Sequence, residues 1–140
     1  MLPDILRENL KVMFVGINPG LKSDAESHYY AHHTNKFWQL LADSNLTPFQ
    51  LTSKQDYRVP DFEIGLTDVV RKASRSSKEA EKLLNNENLV QLNEKIRKFS
   101  PKIICFNGKK AYKLFFGKEV KNLGLQSEKI HGAKIFVVPS

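Results

Sequence analysis

An amide, a glycine-containing turn and an aromatic side chain follow one short apolar run near the start of the chain. Residues 12–17 lead into Asn18, Pro19 and Gly20, a pattern that predicts a buried strand ending in a turn. Ligands of open α/β sheets bind outside the carboxyl ends of the strands, so Asn18 falls where a site is expected. Because Pro19 fixes its own φ and restricts the residue before it, the amide is held in place. With Tyr30 in the following loop, the arrangement suits a site for a planar base.

The same turn has a simpler interpretation, because asparagine, proline and glycine dominate turns for backbone reasons alone. Gly20 allows either a close backbone approach or a positive φ. Thr34 is placed to cap a helix over residues 34–44 that carries Phe37 and Trp38. A tight turn after a core strand therefore stays open as the alternative.

Strand and helix patterns alternate along the chain. Apolar runs predict four strands, at residues 11–17, 63–70, 102–107 and 134–138. Helices are predicted at residues 34–44, about 88–99 and 108–116, and a polar loop at residues 71–81. This alternation predicts one domain, a three-layer α/β/α sandwich around a mostly parallel four-stranded sheet.

Composition restricts the function classes. A chain of 140 residues with 41% hydrophobic content supports one core, and its net charge of +7 favours a polyanionic partner. The single cysteine, Cys105, excludes an intramolecular disulfide and a cysteine-held iron–sulfur cluster, and is predicted to be a packed strand residue. We expect an intracellular, soluble protein, since no run is long enough to span a membrane and the first residues lack signal-peptide features.

Six short segments resemble those of one known family: residues 16–21 (GINPGL), 35–38 (NKFW), 65–70 (GLTDVV), 2–6 (LPDIL), 106–109 (FNGK) and 124–130. The first three are similar to the mismatch-specific uracil/thymine DNA glycosylases of the uracil-DNA glycosylase superfamily. The last three lean toward the thymine-DNA glycosylase branch. The similar spacings run over essentially the whole chain.

The resemblance implies a monofunctional DNA-repair enzyme that flips out uracil opposite guanine, with thymine left open, and hydrolyses its N-glycosidic bond. Asn18 would orient the attacking water, by positioning more than as a base, since an amide is a poor proton acceptor. Tyr30 would stack on the base. The base-binding pocket would also include Ile17, Gly20 and Thr67, although Thr67 is nearly as typical of a strand end that bonds its own backbone.

The resemblance also implies DNA-phosphate contacts from Ser23, Arg71, Lys72 and Lys109, with Asn35 as a structural residue near the site. Basic and hydroxyl side chains hold phosphates without reading sequence. The alternative for the segment after residue 70 is a solvated, mobile loop. The expected partner is double-stranded DNA with G·U or G·T mismatches, bound by a monomer without cofactor, metal or membrane, in the nucleus of a eukaryote or the cytoplasm of a bacterium.

Histidines 28, 32 and 33 are candidates for metal ligands or bases, but no metal site is predicted, because no cysteine or HxxxH partner completes a set. One of them contacting a flipped base or a phosphate stays open beside the interpretation as loop histidines.

Two departures from the family pattern are visible. The family continues after the last strand into a minor-groove wedge and a final helix, whereas this sequence ends at Ser140, so we expect a domain truncated after its last strand, and weak or no activity stays open as the alternative. Asp68 places a charge near the predicted pocket where relatives tend to carry Asn or Lys, and the sequence gives it no role.

Two other classes remain as alternatives. A catalytically weak or inactive basic DNA-binding domain fits the charge and predicts salt-dependent binding without base release. A nucleotide-binding α/β protein fits the alternation, but neither GxGxxG nor GxxxxGK[ST] is present.

Overall fold

Short apolar runs form the strands of one central sheet. The computed structural model describes residues 2–140. The strands are β1 Val12–Gly16, β2 Ile64–Asp68, β3 Ile103–Asn107, β4 Gly124–Ile130 and β5 Ala133–Val138. The helices are α1 Leu21–Glu26, α2 Phe37–Asp43, a 3-10 helix Ser53–Phe62, α3 Ser77–Leu83, α4 Asn86–Phe99 and α5 Lys109–Phe116.

The sheet has the strand order β2-β1-β3-β5-β4. The pairs β1–β2, β1–β3 and β3–β5 are parallel, and β4 pairs antiparallel with β5 at one edge. The predicted mostly parallel α/β architecture is confirmed, but the prediction of four strands is wrong. The fifth strand, β4, was missed because its middle is polar (QSEK) and its residues alternate between half-buried and exposed, unlike the continuous apolar runs of the inner strands.

Successive strand residues point to opposite faces of the sheet. Since both faces carry apolar side chains, each is covered and forms a core of its own. Met13 and Val15 belong to one core, which α4 and α5 complete with Leu92 and Tyr112. Val12 and Phe14 belong to the second core, to which the 29–62 segment contributes Tyr29, Trp38, Leu51 and Val59. Cys105 is buried in β3 as predicted, and burial raises the pKa of its thiol to about 12.

Two local predictions around the first turn are corrected. Helix α2 begins at Phe37, and it is Asn35 rather than Thr34 whose side chain meets its first turn, since Asn35 Oδ1 accepts from the Phe37 N–H at 2.8 Å. The Thr34 hydroxyl instead lies 2.7 Å from His32 Nδ1. Gly20 has an ordinary φ of −71° and no protein atom within 4 Å of a Cβ placed on it.

The segment predicted as a polar loop contains a helix. Within residues 71–81, α3 begins at Ser77, and the Ser76 side chain caps it by accepting from the Glu79 N–H. The Glu79 carboxylate in turn accepts from the Arg75 N–H at 3.0 Å. Of the helices in residues 2–140, none has the length and apolar character needed to cross a membrane.

Candidate functional site

Three adjacent parallel strands bring polar side chains to one edge of the sheet. Gly16 at the end of β1 is in register with Asp68 at the end of β2. On its other side β1 pairs with β3, which ends at Asn107. Because the carboxyl ends of parallel strands meet at the same edge, Asn18, Asp68 and Asn107 lie around one place, where α/β proteins bind ligands.

The Asn18 side chain is held in one orientation. Its Nδ2 donates to the Lys72 carbonyl at 2.9 Å and to Ser74 Oγ at 2.8 Å. The Ser74 hydroxyl donates in turn to the Ser76 carbonyl at 2.8 Å, so its oxygen is left to accept from Asn18. A backbone carbonyl only accepts, so the amide nitrogen must face Lys72, and Oδ1 must point away from it.

The side-chain oxygen of Asn18, Oδ1, accepts no hydrogen bond from any residue within 2–140. Asn18 itself is only partly buried. The arrangement can therefore accept a hydrogen bond from a water or a ligand at a fixed point beyond β1.

Tyr30 lies over Gly16 at this edge. Its backbone is left-handed, with φ 52°, and its hydroxyl accepts from Asn107 Nδ2 at 2.6 Å. One face of the ring stacks on Phe37, with centroids 4.0 Å apart and 23° between the planes. Phe37 therefore closes this face of the ring to a planar ligand.

Buried contacts from two other elements hold the Tyr30 loop. The Asp56 carboxylate accepts from the Tyr29 N–H at 2.9 Å and lies 3.1 Å from His28 Nδ1. The Trp38 indole N–H donates to the Tyr29 carbonyl at 3.2 Å. Both backbone groups of Tyr29 are thus fixed, which supports the unusual φ of the next residue.

Asp68 is a buried carboxyl at the centre of this edge, with 4% of its surface exposed. A Cβ on Gly16 would lie 2.5 Å from Asp68 Oδ1, so only glycine fits beside it. Its Oδ2 is buried and has no hydrogen-bond partner among residues 2–140. Burial raises the pKa of Asp68 to about 7, the Arg71 guanidinium opposes this, and the Asp4 carboxylate reinforces it.

Two residues predicted at the site, Thr67 and Arg71, are bonded to Asp4 near the start of the chain. The Thr67 hydroxyl donates to Asp4 Oδ1 at 2.5 Å. Arg71 donates to the same oxygen at 2.7 Å and to the Leu2 carbonyl at 2.6 Å, and Lys95 Nζ lies 2.6 Å from Asp4 Oδ2. Because Thr67 points to the face opposite Asp68, the structure does not bring it together with Tyr30.

The other predicted residues divide into internal and exposed ones. Ser23 is buried, and its Oγ accepts from the Ala31 N–H at 3.0 Å. The Ile17 carbonyl accepts from the Val70 N–H at 2.8 Å. Lys72 and Lys109 are exposed, and Lys109 is the first residue of α5. Their proposed roles toward a base or a phosphate stay predictions.

The exposed histidines His32 and His33 stack on each other, with ring centroids 4.5 Å apart. In the part of the chain that the structure describes, no group of three His, Cys, Asp or Glu side chains is placed to hold a metal ion.

Three polar side chains have roles at the site that the sequence did not predict: Asn107, Ser74 and Asp56. Asn107 ends an apolar strand run just as Asn18 does, so the same positional rule could have identified it. Ser74 and Asp56 act through pairings with residues that are 56 and 27 positions away, to Asn18 and Tyr29. Local sequence patterns do not predict pairings between residues so far apart.

One comparison with known proteins matches the chain to a family. A family model described as "Uracil DNA glycosylase superfamily" matches residues 3–140. The match includes every residue of the site described above.

Proposed function

Since the chain belongs to the uracil DNA glycosylase superfamily, whose members are DNA glycosylases that act on DNA as hydrolases, we propose that it excises uracil mispaired with guanine. Thymine opposite guanine is left open as a second substrate, because one methyl group changes binding by only ~1–3 kcal/mol. The reaction is hydrolysis of the N-glycosidic bond without strand cleavage. Strand cleavage by β-elimination would need a lysine that forms a Schiff base, and no sequence feature identifies one of the lysines as such a nucleophile.

The fixed Asn18 amide carries the proposal. Two acceptors, the Lys72 carbonyl and Ser74 Oγ, hold Nδ2 and leave Oδ1 to accept a hydrogen bond from water. An amide oxygen is a weak base, so its contribution is to place the water in line with C1′. Turnover is accordingly slow.

Tyr30 supplies the second part of the mechanism. A base within a duplex must be extruded before its glycosidic bond can be reached, and a mispaired base costs less to extrude. The extruded uracil stacks on the Tyr30 face that Phe37 does not cover, which contributes ~1–3 kcal/mol. Bond cleavage builds negative charge on the departing base, and backbone N–H groups around Ile17 and Tyr30 stabilise it in a water-poor site.

Exposed lysines supply the DNA contacts. Lys72 adjoins the Asn18 network through its own carbonyl, and Lys109 follows Asn107 at the start of α5. Both side chains are exposed, and their ammonium groups would contact phosphates beside an extruded nucleotide. Ser23 and Arg71 have internal partners, so we assign the phosphate contacts to the two lysines.

The direct test is base release from end-labelled duplexes that carry G·U, G·T or A·U, read as alkali-induced strand cleavage at enzyme excess. The proposal requires release from G·U that exceeds release from A·U. Binding of the same duplexes is measured in parallel. Tight, salt-dependent binding with no base release would contradict the proposal and favour the alternative, a basic DNA-binding domain, which the family match does not favour.

A further inference from the structure

A buried residue near the start of the chain bridges the two segments that hold Asn18. Leu2 is buried, its N–H donates to Asp24 Oδ1 at 3.1 Å, and its carbonyl accepts from Arg71 Nη2 at 2.6 Å. Asp24 lies in α1, directly after the turn that contains Asn18. Arg71 precedes Lys72, whose carbonyl accepts from the Asn18 amide. Both backbone groups of Leu2 therefore join the two sides of the Asn18 site.

Asp4 fastens the same part of the chain to Arg71 and to helix α4. Its Oδ1 accepts from Arg71 Nη1 at 2.7 Å and from the Thr67 hydroxyl at 2.5 Å, and its Oδ2 lies 2.6 Å from Lys95 Nζ. The side chains of Arg71, Lys95 and Asp4 are 16%, 19% and 20% exposed. Ion pairs open to water contribute little, but a shielded carboxylate that accepts from a guanidinium restricts both partners. Arg71 is thus held from two directions, by the Leu2 carbonyl and by the Asp4 carboxylate.

The backbone after β2 carries this restraint toward the first turn. Backbone hydrogen bonds join residues 69–70 and 74 to residues 16–19. Between them, residues 71–73 make no backbone–backbone hydrogen bond to any residue within 2–140. Apart from the amide that donates to it, the Lys72 carbonyl therefore has its nearest restraint along the chain in the side chain of Arg71.

We infer that Asp4 is a positioning residue for the Asn18 amide, although no hydrogen bond joins the two. Asp4 holds Arg71, and Arg71 places the carbonyl of the next residue, to which the amide donates. Without the Asp4 carboxylate, the guanidinium loses its ionic partner, the carbonyl shifts, and Asn18 Oδ1 is no longer directed to one point. What this contributes to catalysis rests on the proposed function.

The charges of Asp4 and Arg71 also act on Asp68, and this second route predicts a different pattern. Burial has the largest effect on the pKa of Asp68 and raises it, the Arg71 guanidinium lowers it, and the Asp4 carboxylate raises it. Removing the two charges one at a time would therefore shift the Asp68 pKa in opposite directions. Loss of the restraint acts in the same direction in both cases, so two variants separate positioning from a charge effect.

The orientation of Asn18 is tested by NMR on its side-chain NH2 group, identified as the signal pair that is absent from Asn18→Ala. Asp4→Ala and Arg71→Ala should each exchange these hydrogens with water roughly fivefold to tenfold faster than the native chain, because one of the two acceptors is no longer fixed. Arg71→Ala also carries the test alone if Asp4→Ala does not fold.

Glu128→Ala is the matched control, because it breaks a comparable cluster away from the site. Glu128 lies on β4 and accepts from Tyr112 and Lys118, and β4 and β2 form opposite edges of the sheet. This variant should lose stability in urea, as Asp4→Ala does, but should keep the native exchange of the Asn18 amide and the native rate of uracil release.

The contribution to catalysis is measured as single-turnover uracil release from a saturating G·U duplex. Asp4→Ala and Arg71→Ala should each be roughly fivefold to tenfold slower than the native chain, with unchanged affinity for DNA. In an Asn18→Ala background, either substitution should have no further effect on the rate, because the residue that they position is gone.

The outcomes separate this inference from the proposed function. Faster exchange of the Asn18 amide in Asp4→Ala and Arg71→Ala, but not in Glu128→Ala, supports the inference even if the native chain releases no uracil, in which case the proposed function alone fails. Native exchange in either folded variant, or changes of opposite sign in the two, overturns the inference. Rates that fall by the same factor with and without Asn18 also overturn it, because Asp4 would then act by another route.

Discussion

At the residue scale, the site depends on side chains whose orientation is decided by their neighbours. The Asn18 side chain has one orientation because its Nδ2 donates to the Lys72 carbonyl and to Ser74 Oγ, and its Oδ1 remains able to accept a hydrogen bond. The sequence indicated where Asn18 would lie, since an apolar run ending in Asn-Pro-Gly locates a strand end. It could not indicate which atom of the amide would face outward, because Ser74 lies 56 positions away.

Substitution Ser74→Ala is expected to slow uracil release without abolishing it. The Lys72 carbonyl still holds Asn18 Nδ2, so one of two hydrogen bonds is lost, which corresponds to about 1 kcal/mol and roughly a fivefold lower rate. Single-turnover rates against G·U duplex measure the effect. Ser127→Ala, an exposed serine on β4, is the matched control, and equal rates for both variants would contradict the role assigned to Ser74.

The buried Asp68 makes a prediction about stability that does not depend on activity. Its folded-state pKa is raised to about 7, so the stability of its buried neutral form is complete below the unfolded-state pKa, about 4, and is lost as pH rises through 7. Asp68→Asn cannot ionise and escapes that loss. Urea unfolding should therefore show a larger gain for the variant at about pH 8.5 than at about pH 5, and a gain independent of pH would contradict the assignment.

At the element scale, the sequence predicted four of the five strands and missed β4, which lies at one edge of the sheet. β1, β2, β3 and β5 were found because each contains an apolar run, which is longest where a strand is buried on both faces, as β1 is. β4, α1 and α3 were missed because polar residues dominate them. Arg71 was predicted to contact DNA phosphates, but its guanidinium donates to the Asp4 carboxylate near the start of the chain. Local sequence patterns do not predict a contact between residues so far apart.

The 3-10 helix holds the Tyr30 loop through Asp56, and this contact can be tested. Asp56→Ala removes the acceptor of the Tyr29 N–H and the partner of His28. We expect a loss of about 1–3 kcal/mol in unfolding free energy, because a buried N–H is left without a partner, together with weaker base stacking.

Asp61→Ala is the control for Asp56→Ala, since Asp61 is exposed on the same helix. Urea unfolding measures stability, and 2-aminopurine fluorescence opposite the site measures base stacking. Equal behaviour of the two variants would show that Asp56 does not hold the loop.

At the scale of the whole molecule, the charge of +7 predicts binding to DNA that weakens with salt. If Lys72 and Lys109 each contact a phosphate, replacing either by Ala should lower the slope of log affinity against log salt by roughly 0.9. Lys134→Ala is the control, because Lys134 is exposed at the amino end of β5, away from the carboxyl ends of the strands where the site lies. Fluorescence anisotropy over a salt series measures the slopes, and identical slopes for all three variants would contradict the assigned binding face.

The central claim is that a water held by Asn18 hydrolyses the glycosidic bond. Its most direct measurement is the single-turnover rate of uracil release from a G·U duplex for the native chain, Asn18→Ala and Asn122→Ala, an exposed asparagine in the loop before β4. The account predicts that Asn18→Ala releases uracil roughly a hundredfold more slowly, with DNA binding unchanged, and that Asn122→Ala matches the native rate. Release that is equally fast in all three proteins would contradict it.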